Sequence, residues 1–166
     1  MSLDRTRFDQ LYRMHAANAF RRALRVLGND ADAHEVVHDV FLSLFERPEQ
    51  FANKSQVSTF LYSAVTHACL NHLRSRSTRS RLLAQHAATV PQPGAVRAPA
   101  DQAAQVRALL ERVPPPLGEV AVYYYVDELT HAEIARVLGC SRRHVGDLLQ
   151  HLAVWVEQQE RAECGS

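Results

Sequence analysis

Residues 130–152 read "THAEIARVLGCSRRHVGDLLQHL", and the form of this stretch decides the fold. Thr130 with Glu133 three residues later is a capping box that opens a short helix. Ile134, Val137 and Leu138 make its apolar stripe, and Gly139 supplies a turn. Ser141 is a good N-cap for the next helix, whose inward face is Val145, Leu148, Leu149 and Leu152. Two short helices joined by a tight glycine-containing turn fit the helix-turn-helix that lays its second helix into DNA. A plain helical hairpin is the alternative. The residues that would meet the groove are Ser141, Arg142, Arg143 and His144, with Asp147 and Gln150 further along the outward side. The arginines sit at the positive end of the helix, which favours phosphate. Gly146 costs about 1 kcal/mol of helix stability relative to Ala, yet lets a backbone come close. Asp147 repels phosphate but can accept from cytosine N4, and Gln150 suits adenine. So few phosphate anchors imply weak, weakly salt-dependent binding by this unit alone.

Upstream, "VRALLERV" is one helix, stopped by Pro114–Pro116, and "LGEVAVYYYVDE" begins just after that run. Before them, the helical patterning breaks from residue 77 to 104. The stretch is rich in Ala, Pro and Gln, with Pro91, Pro93, Gly94 and Pro99 close together, and reads as a linker. The first half of the chain carries three helical stripes. Phe8, Leu11, Tyr12, Ala16, Ala19, Phe20, Ala23, Leu24 and Leu27 form the first, closed by Gly28. Asp32 and Glu35 are a plausible capping box for the second, which runs through Val36, Val37, Val40, Phe41, Leu44 and Phe45 to Pro48. After the polar loop "RPEQFANKSQVS", a long helix buries Phe60, Leu61, Ala64, Val65, Ala68 and Leu73. No stretch alternates with period two. The expected fold is all-α: a three- to four-helix bundle over residues 1–78, a flexible linker over 79–104, and a helix-turn-helix domain over 105–162.

Composition narrows the function. The chain has 166 residues, 46% of them hydrophobic and 22% charged, enough to bury a core in one or two small domains. No apolar run is long enough to cross a membrane. The start, "MSLDRTRFDQ", lacks a signal-peptide core, so a cytoplasmic protein with no membrane insertion is expected. The net charge of +1 conceals a split. Residues 1–90 hold 12 Lys/Arg against 8 Asp/Glu, whereas residues 91–166 hold 7 against 10. No acid occurs between Glu49 and Asp101, while Lys54, Arg74, Arg76, Arg79, Arg81 and Arg97 fall inside that window. A one-sign surface of this kind suits a polyanion, and an arginine-rich solvated helix end is the bland alternative.

Catalytic and metal chemistry find little purchase. His67, Cys69 and His72 are neighbours in sequence, but on a helix only Cys69 and His72 share a face, and two ligands make no site. Cys140 suits a small buried turn residue, Cys164 an exposed free thiol. No nucleophile–base pair, glycine-rich phosphate loop or paired-carboxylate arrangement stands out. We expect no cofactor, no metal and no enzymatic activity.

Taken in order, these pieces resemble the extracytoplasmic-function (ECF) group of bacterial RNA polymerase sigma factors. The resemblance rests on "LYRMHAANAFRRALRVLGNDADAHEVVHDVFLSLF", "FANKSQVSTFLYSAVTHACLNHLRSR" and "LLERVPPPLGEVAVYYYVDELTHAEIARVLGCSRRHVGDLL". It implies a sigma-2-like and a sigma-4-like domain, a role in promoter recognition and melting, and core RNA polymerase and promoter DNA as partners. An anti-sigma factor is a further partner that the family pattern allows. By resemblance, Glu35, His38, Asp39 and Leu42 dock on polymerase. Phe51, Asn53, Lys54 and Ser55 capture a base flipped from the −10 element, whose unstacking costs a few kcal/mol that the pocket must offset. Thr66, His67, Asn71, Arg74 and Arg76 carry the rest of −10 recognition. Residues 141–150 would read the −35 element. The chain departs from the pattern at Thr66-His67, where Arg-Asn is common, at Asn71, where Asp is common, and at Gly146-Asp147-Leu148, where a Lys-Ser-Arg run is common. Two other readings compete: a stand-alone helix-turn-helix regulator, and a sigma-like interaction module that no longer reads DNA.

Overall fold

The computed structural model describes residues 5–50, 57–86 and 102–165. Among them every regular element is helical: α1 (Arg5–Leu27), α2 (Asp30–Glu46), a 3₁₀ turn (Pro48–Gln50), α3 (Val57–His86), α4 (Gln102–Arg112), α5 (Pro115–Ala121), a π-helical turn (Val122–Val126), α6 (His131–Leu138) and α7 (Arg142–Cys164).

The local signals act largely where the sequence puts them. Gly28 has φ of +67°, a left-handed conformation that ends α1 at low cost. The start of α2 differs from the expected capping box. Asn29 is the N-cap and accepts from the Asp32 amide at 3.0 Å, which leaves Asp32 inside the first turn, where its charge suits the helix dipole. The expected break at 77 is also displaced. α3 continues to His86 in residues that are almost all exposed, so positions 79–86 of the expected linker are helical. Arg, Leu, Ala and Gln are good helix formers, and Pro91 is the first proline after them.

α1, α2 and α3 pack on one another around Ala23, Val37, Phe41, Leu61, Val65 and Leu73. α5, the π-helical turn, α6 and α7 close a second, smaller cluster on Val120, Tyr123, Ile134, Ala135 and Val145. The two modules are not separate bodies. Leu110, Val113, Leu117, Val122 and Leu152 of the second belong to the core of the first. Gly118 lies where α5 meets α3. A Cβ there would come within 3.1 Å of Val113 and 3.3 Å of Leu70, tighter than ordinary van der Waals packing. Absence of a side chain lets the helices touch.

Candidate nucleic-acid and polymerase interface

The helix-turn-helix forms as its residues dictate. Thr130 Oγ1 accepts from the Glu133 amide while the Glu133 carboxylate accepts from the Thr130 amide at 2.8 Å, a complete capping box. These bonds hold the Glu133 carboxyl below its usual range, the Thr130 hydroxyl contributing most. Gly139 turns the chain at φ of +65°, and Ser141 Oγ caps α7 by accepting from the His144 amide at 3.1 Å. Ser141, Arg142, Arg143, His144, Asp147 and Gln150 all face solvent on one end of α7. No atom lies within 4 Å of a Cβ built on Gly146, so packing does not require glycine there.

On the first module, Glu35, His38, Asp39 and Leu42 are exposed along α2, with Val36 and Phe41 buried behind them. The apolar part of this surface continues through Tyr12 and Phe45, both exposed, with Tyr12 against Phe41 at 4.9 Å and Phe45 against Phe8 at 5.1 Å between ring centroids. Phe51, Asn53, Lys54 and Ser55 lie outside the described residues.

The −10 candidates on α3 divide. His67, Asn71 and Arg76 are exposed and Arg74 is half-buried. Thr66 is fully buried, so it presents nothing to a DNA strand in this arrangement. Its hydroxyl accepts from Arg22 Nε at 2.8 Å and donates to the Tyr62 carbonyl. Several of the others are engaged by the second module. His67 Nδ1 lies 2.9 Å from the Glu119 carboxylate, and Arg74 Nη2 donates to the Val113 carbonyl. A groove of about 860 Å³ runs between α2, α3 and α6, with Asp39, His67, Asn71, Glu119 and Arg136 on its walls. Two surfaces expected to bind polymerase and DNA thus open into one cleft beneath the first helix of the helix-turn-helix.

The residues that fasten this arrangement were not singled out by the sequence. Arg22 makes a bidentate pair with Asp127, Nη1 to Oδ1 at 2.7 Å and Nη2 to Oδ2 at 2.8 Å, with both side chains under 10% exposed. Tyr62 donates to Oδ2 of the same carboxylate at 2.6 Å, and the Arg22 guanidinium lies 3.5 Å from the centre of the Tyr62 ring. Burial, then the bond to Asp127, pushes the Tyr62 hydroxyl well above its ordinary range. A position 22 between Ala19, Ala23 and Val26 falls on the apolar face of α1, and a charge there is the one signal that pointed to a buried partner. Elsewhere Asp32, Glu35 and His72 gather with their ligand atoms within 4.8 Å of one another. Arg76 already pairs with Asp32 at 3.3 Å, so the group ties α2 to α3 by charge.

The sequence matches the Sigma-70 region 2 family over residues 11–79 and the Sigma-70 region 4 family over residues 103–151. Both regions stand in order and together take up well over half of the chain. The chain belongs to the Sigma-70 family. It is 28% identical over 141 residues to the ECF RNA polymerase sigma factor SigE of Mycolicibacterium smegmatis, covering 80% of this chain and 53% of that protein. It is 35% identical over 71 residues to the ECF RNA polymerase sigma factor SigM of Mycobacterium tuberculosis, covering 43% of this chain and 36% of that protein. The chain thus spans about half the length, or less, of these curated relatives. Among solved structures it is similar to CnrH in complex with the cytosolic domain of CnrY, at 19% identity and a TM-score of 0.52, over 96% of this chain and 90% of that one. That likeness concerns the fold, two helical sigma modules with no strand among the described residues. No helix among the described residues is long and apolar enough to cross a membrane.

Proposed function

We propose that this chain is an ECF sigma factor that binds core RNA polymerase and directs it to promoters, where it recognises and melts DNA. The observation that carries the reading is the ordered pair of Sigma-70 regions, with a recognition helix whose reading residues all face solvent. In this reading residues 1–78 hold polymerase through Glu35, His38, Asp39 and Leu42. The same module reads the −10 element through Phe51, Asn53, Lys54 and Ser55 and through His67, Asn71, Arg74 and Arg76. Thr66 acts from beneath as a support for Arg22. Residues 105–162 read the −35 element through Ser141, Arg142, Arg143, His144, Asp147 and Gln150, as the weaker contact. Tethering on polymerase raises the effective concentration of each DNA module, so neither needs high affinity alone. The chain acts by binding and carries no covalent step of its own, in the cytoplasm where polymerase works. An anti-sigma factor belongs to the same proposal as the protein that would hold the chain away from polymerase.

Transcription in vitro on a genomic library, with core enzyme and this protein, tests the proposal. Opening of a defined promoter set is the expected result, and no promoter opened would overturn it. Pull-down with core polymerase distinguishes the rivals, because a stand-alone regulator would not bind it stoichiometrically.

A further inference from the structure

A second cleft, of about 540 Å³, lies between α1 and the start of α3. Its polar walls from the first module are His15, Asn18, Arg21, Arg22, Arg25 and Ser58, together with the Tyr62 ring. Every one of them is a cation or a neutral group that can donate. Among the described residues the only acid on the lining is Asp127, which the second module inserts. We propose that this cleft is an oxyanion site for a nucleic-acid phosphate, and that Asp127 fills it as an internal surrogate which keeps the chain closed until DNA displaces it. The proposal rests on the reading of α3 as the DNA-facing helix.

The geometry is that of a built anion site. Thr66 holds Arg22 by Nε and Tyr62 lies beneath the guanidinium, which leaves both terminal nitrogens turned to the Asp127 carboxylate. A planar fork fixed in this way grips two oxygens of a carboxylate or of a phosphate alike. Tyr62 Oη supplies a third donor and Arg25 a second charge, 3.7 Å from Asp127 Oδ1. Lifting Asp127 away would leave the Arg22 guanidinium without its counter-charge, a place that a phosphate can take.

Closure also sets the second module along the surface that DNA would use, although His67, Asn71 and Arg76 stay exposed. With Asp127 seated, Glu119 is on His67 and α6 forms one wall of the cleft along α3. The segment that carries Asp127 is itself uneasy. It follows a π-helical turn and precedes Glu128, a non-glycine residue at φ of +55°. Both are uncommon conformations that persist only when surrounding contacts impose them. DNA phosphate therefore competes with one carboxylate on a strained tether, while Arg76, Arg79 and Arg81 along exposed α3 attract the rest of the strand.

The test is fluorescence anisotropy of the full-length chain with a labelled single-stranded oligonucleotide, over a range of potassium chloride concentrations. Asp127→Asn, which keeps the shape and removes the charge, should bind about tenfold tighter than wild type. Its slope of log affinity against log salt should steepen by about 1, since freed arginines meet phosphate. Adding Arg22→Gln should abolish the gain. Equal affinity and slope for wild type and Asp127→Asn would overturn the proposal, as would a gain that survives Arg22→Gln. Thermal stabilisation of Asp127→Asn by inorganic phosphate with no gain for DNA would overturn the nucleic-acid assignment. Should Asp127→Asn fail to fold, hydrogen exchange on the wild-type chain decides. Saturating oligonucleotide should speed exchange across residues 122–129, and unchanged protection would sink the idea. Polymerase is absent from these assays, so failure of the transcription test would leave their outcome untouched.

Discussion

At the scale of single residues, burial sorts the three cysteines. Cys69 is fully buried on α3, and that burial pushes its thiol up to about 12. Cys164 is exposed near the end of α7 and Cys140 is half-buried in the turn. The thiolate is the reactive form, so access and ionisation both protect Cys69. Iodoacetamide at pH 8 should label Cys164 first, with Cys69 unmodified until denaturant is added. Peptide mass mapping checks the order, and early labelling of Cys69 would contradict its burial. The residue scale also holds the main surprise of the site. The resemblance assigns Thr66 to −10 recognition together with its neighbour His67, yet Thr66 is fully buried. It points inward because α3 turns about 100° per residue, so adjacent positions face different ways.

At the scale of elements, the first helix of the helix-turn-helix is only eight residues long and depends on its ends. Short helices are marginal alone, so their caps matter. Thr130→Ala removes the cap acceptor and should cost about 1 kcal/mol, readable by urea denaturation. The Glu133 carboxyl is held below its ordinary value, so its contribution is present in full above about pH 4.5. It is lost as pH falls through the lowered folded value. Glu133→Gln should keep most of the cap and remove that acid dependence, which helicity against pH would report. On α7, Gly146 has open space around it. Gly146→Ala should raise stability by about 1 kcal/mol. The same methyl should weaken −35 DNA binding where the backbone must come close, and equal binding would assign the glycine no part in reading.

At the scale of the whole molecule, the two modules share one core and one buried charge pair, so their binding surfaces are coupled. The proposed docking residues on α2 meet α3 through the Asp32–Arg76 pair and a shared cleft, but Asp39 and Arg76 are separate side chains that can be changed one at a time. Asp39→Arg should lower affinity for core polymerase by about tenfold while leaving oligonucleotide binding within about twofold. Arg76→Ala should do the reverse, although it also releases Asp32 from its ion pair. Binding to immobilised core enzyme and anisotropy on DNA measure the two separately. Loss of both activities in either variant would contradict the division of surfaces.

Local chemistry made much of this legible. The capping box at Thr130, the left-handed Gly139, the Ser141 cap and the apolar stripes of α1, α2 and α3 act between residues a few positions apart, so spacing alone reveals them. The exposed face of the recognition helix followed from the same periodicity. The extent of α3 did not, because helix formers between Ser77 and His86 gave no stop signal. The seating of one module on the other was also illegible. Arg22 and Asp127 are 105 positions apart, and nothing near Asp127 in sequence says that its carboxylate is buried. Hydrophobic period and end caps determined which segments are helices. Which face of α3 is covered, and by what, was decided only when Leu110, Val122 and Leu152 joined the first core and brought a lone carboxylate against a waiting guanidinium.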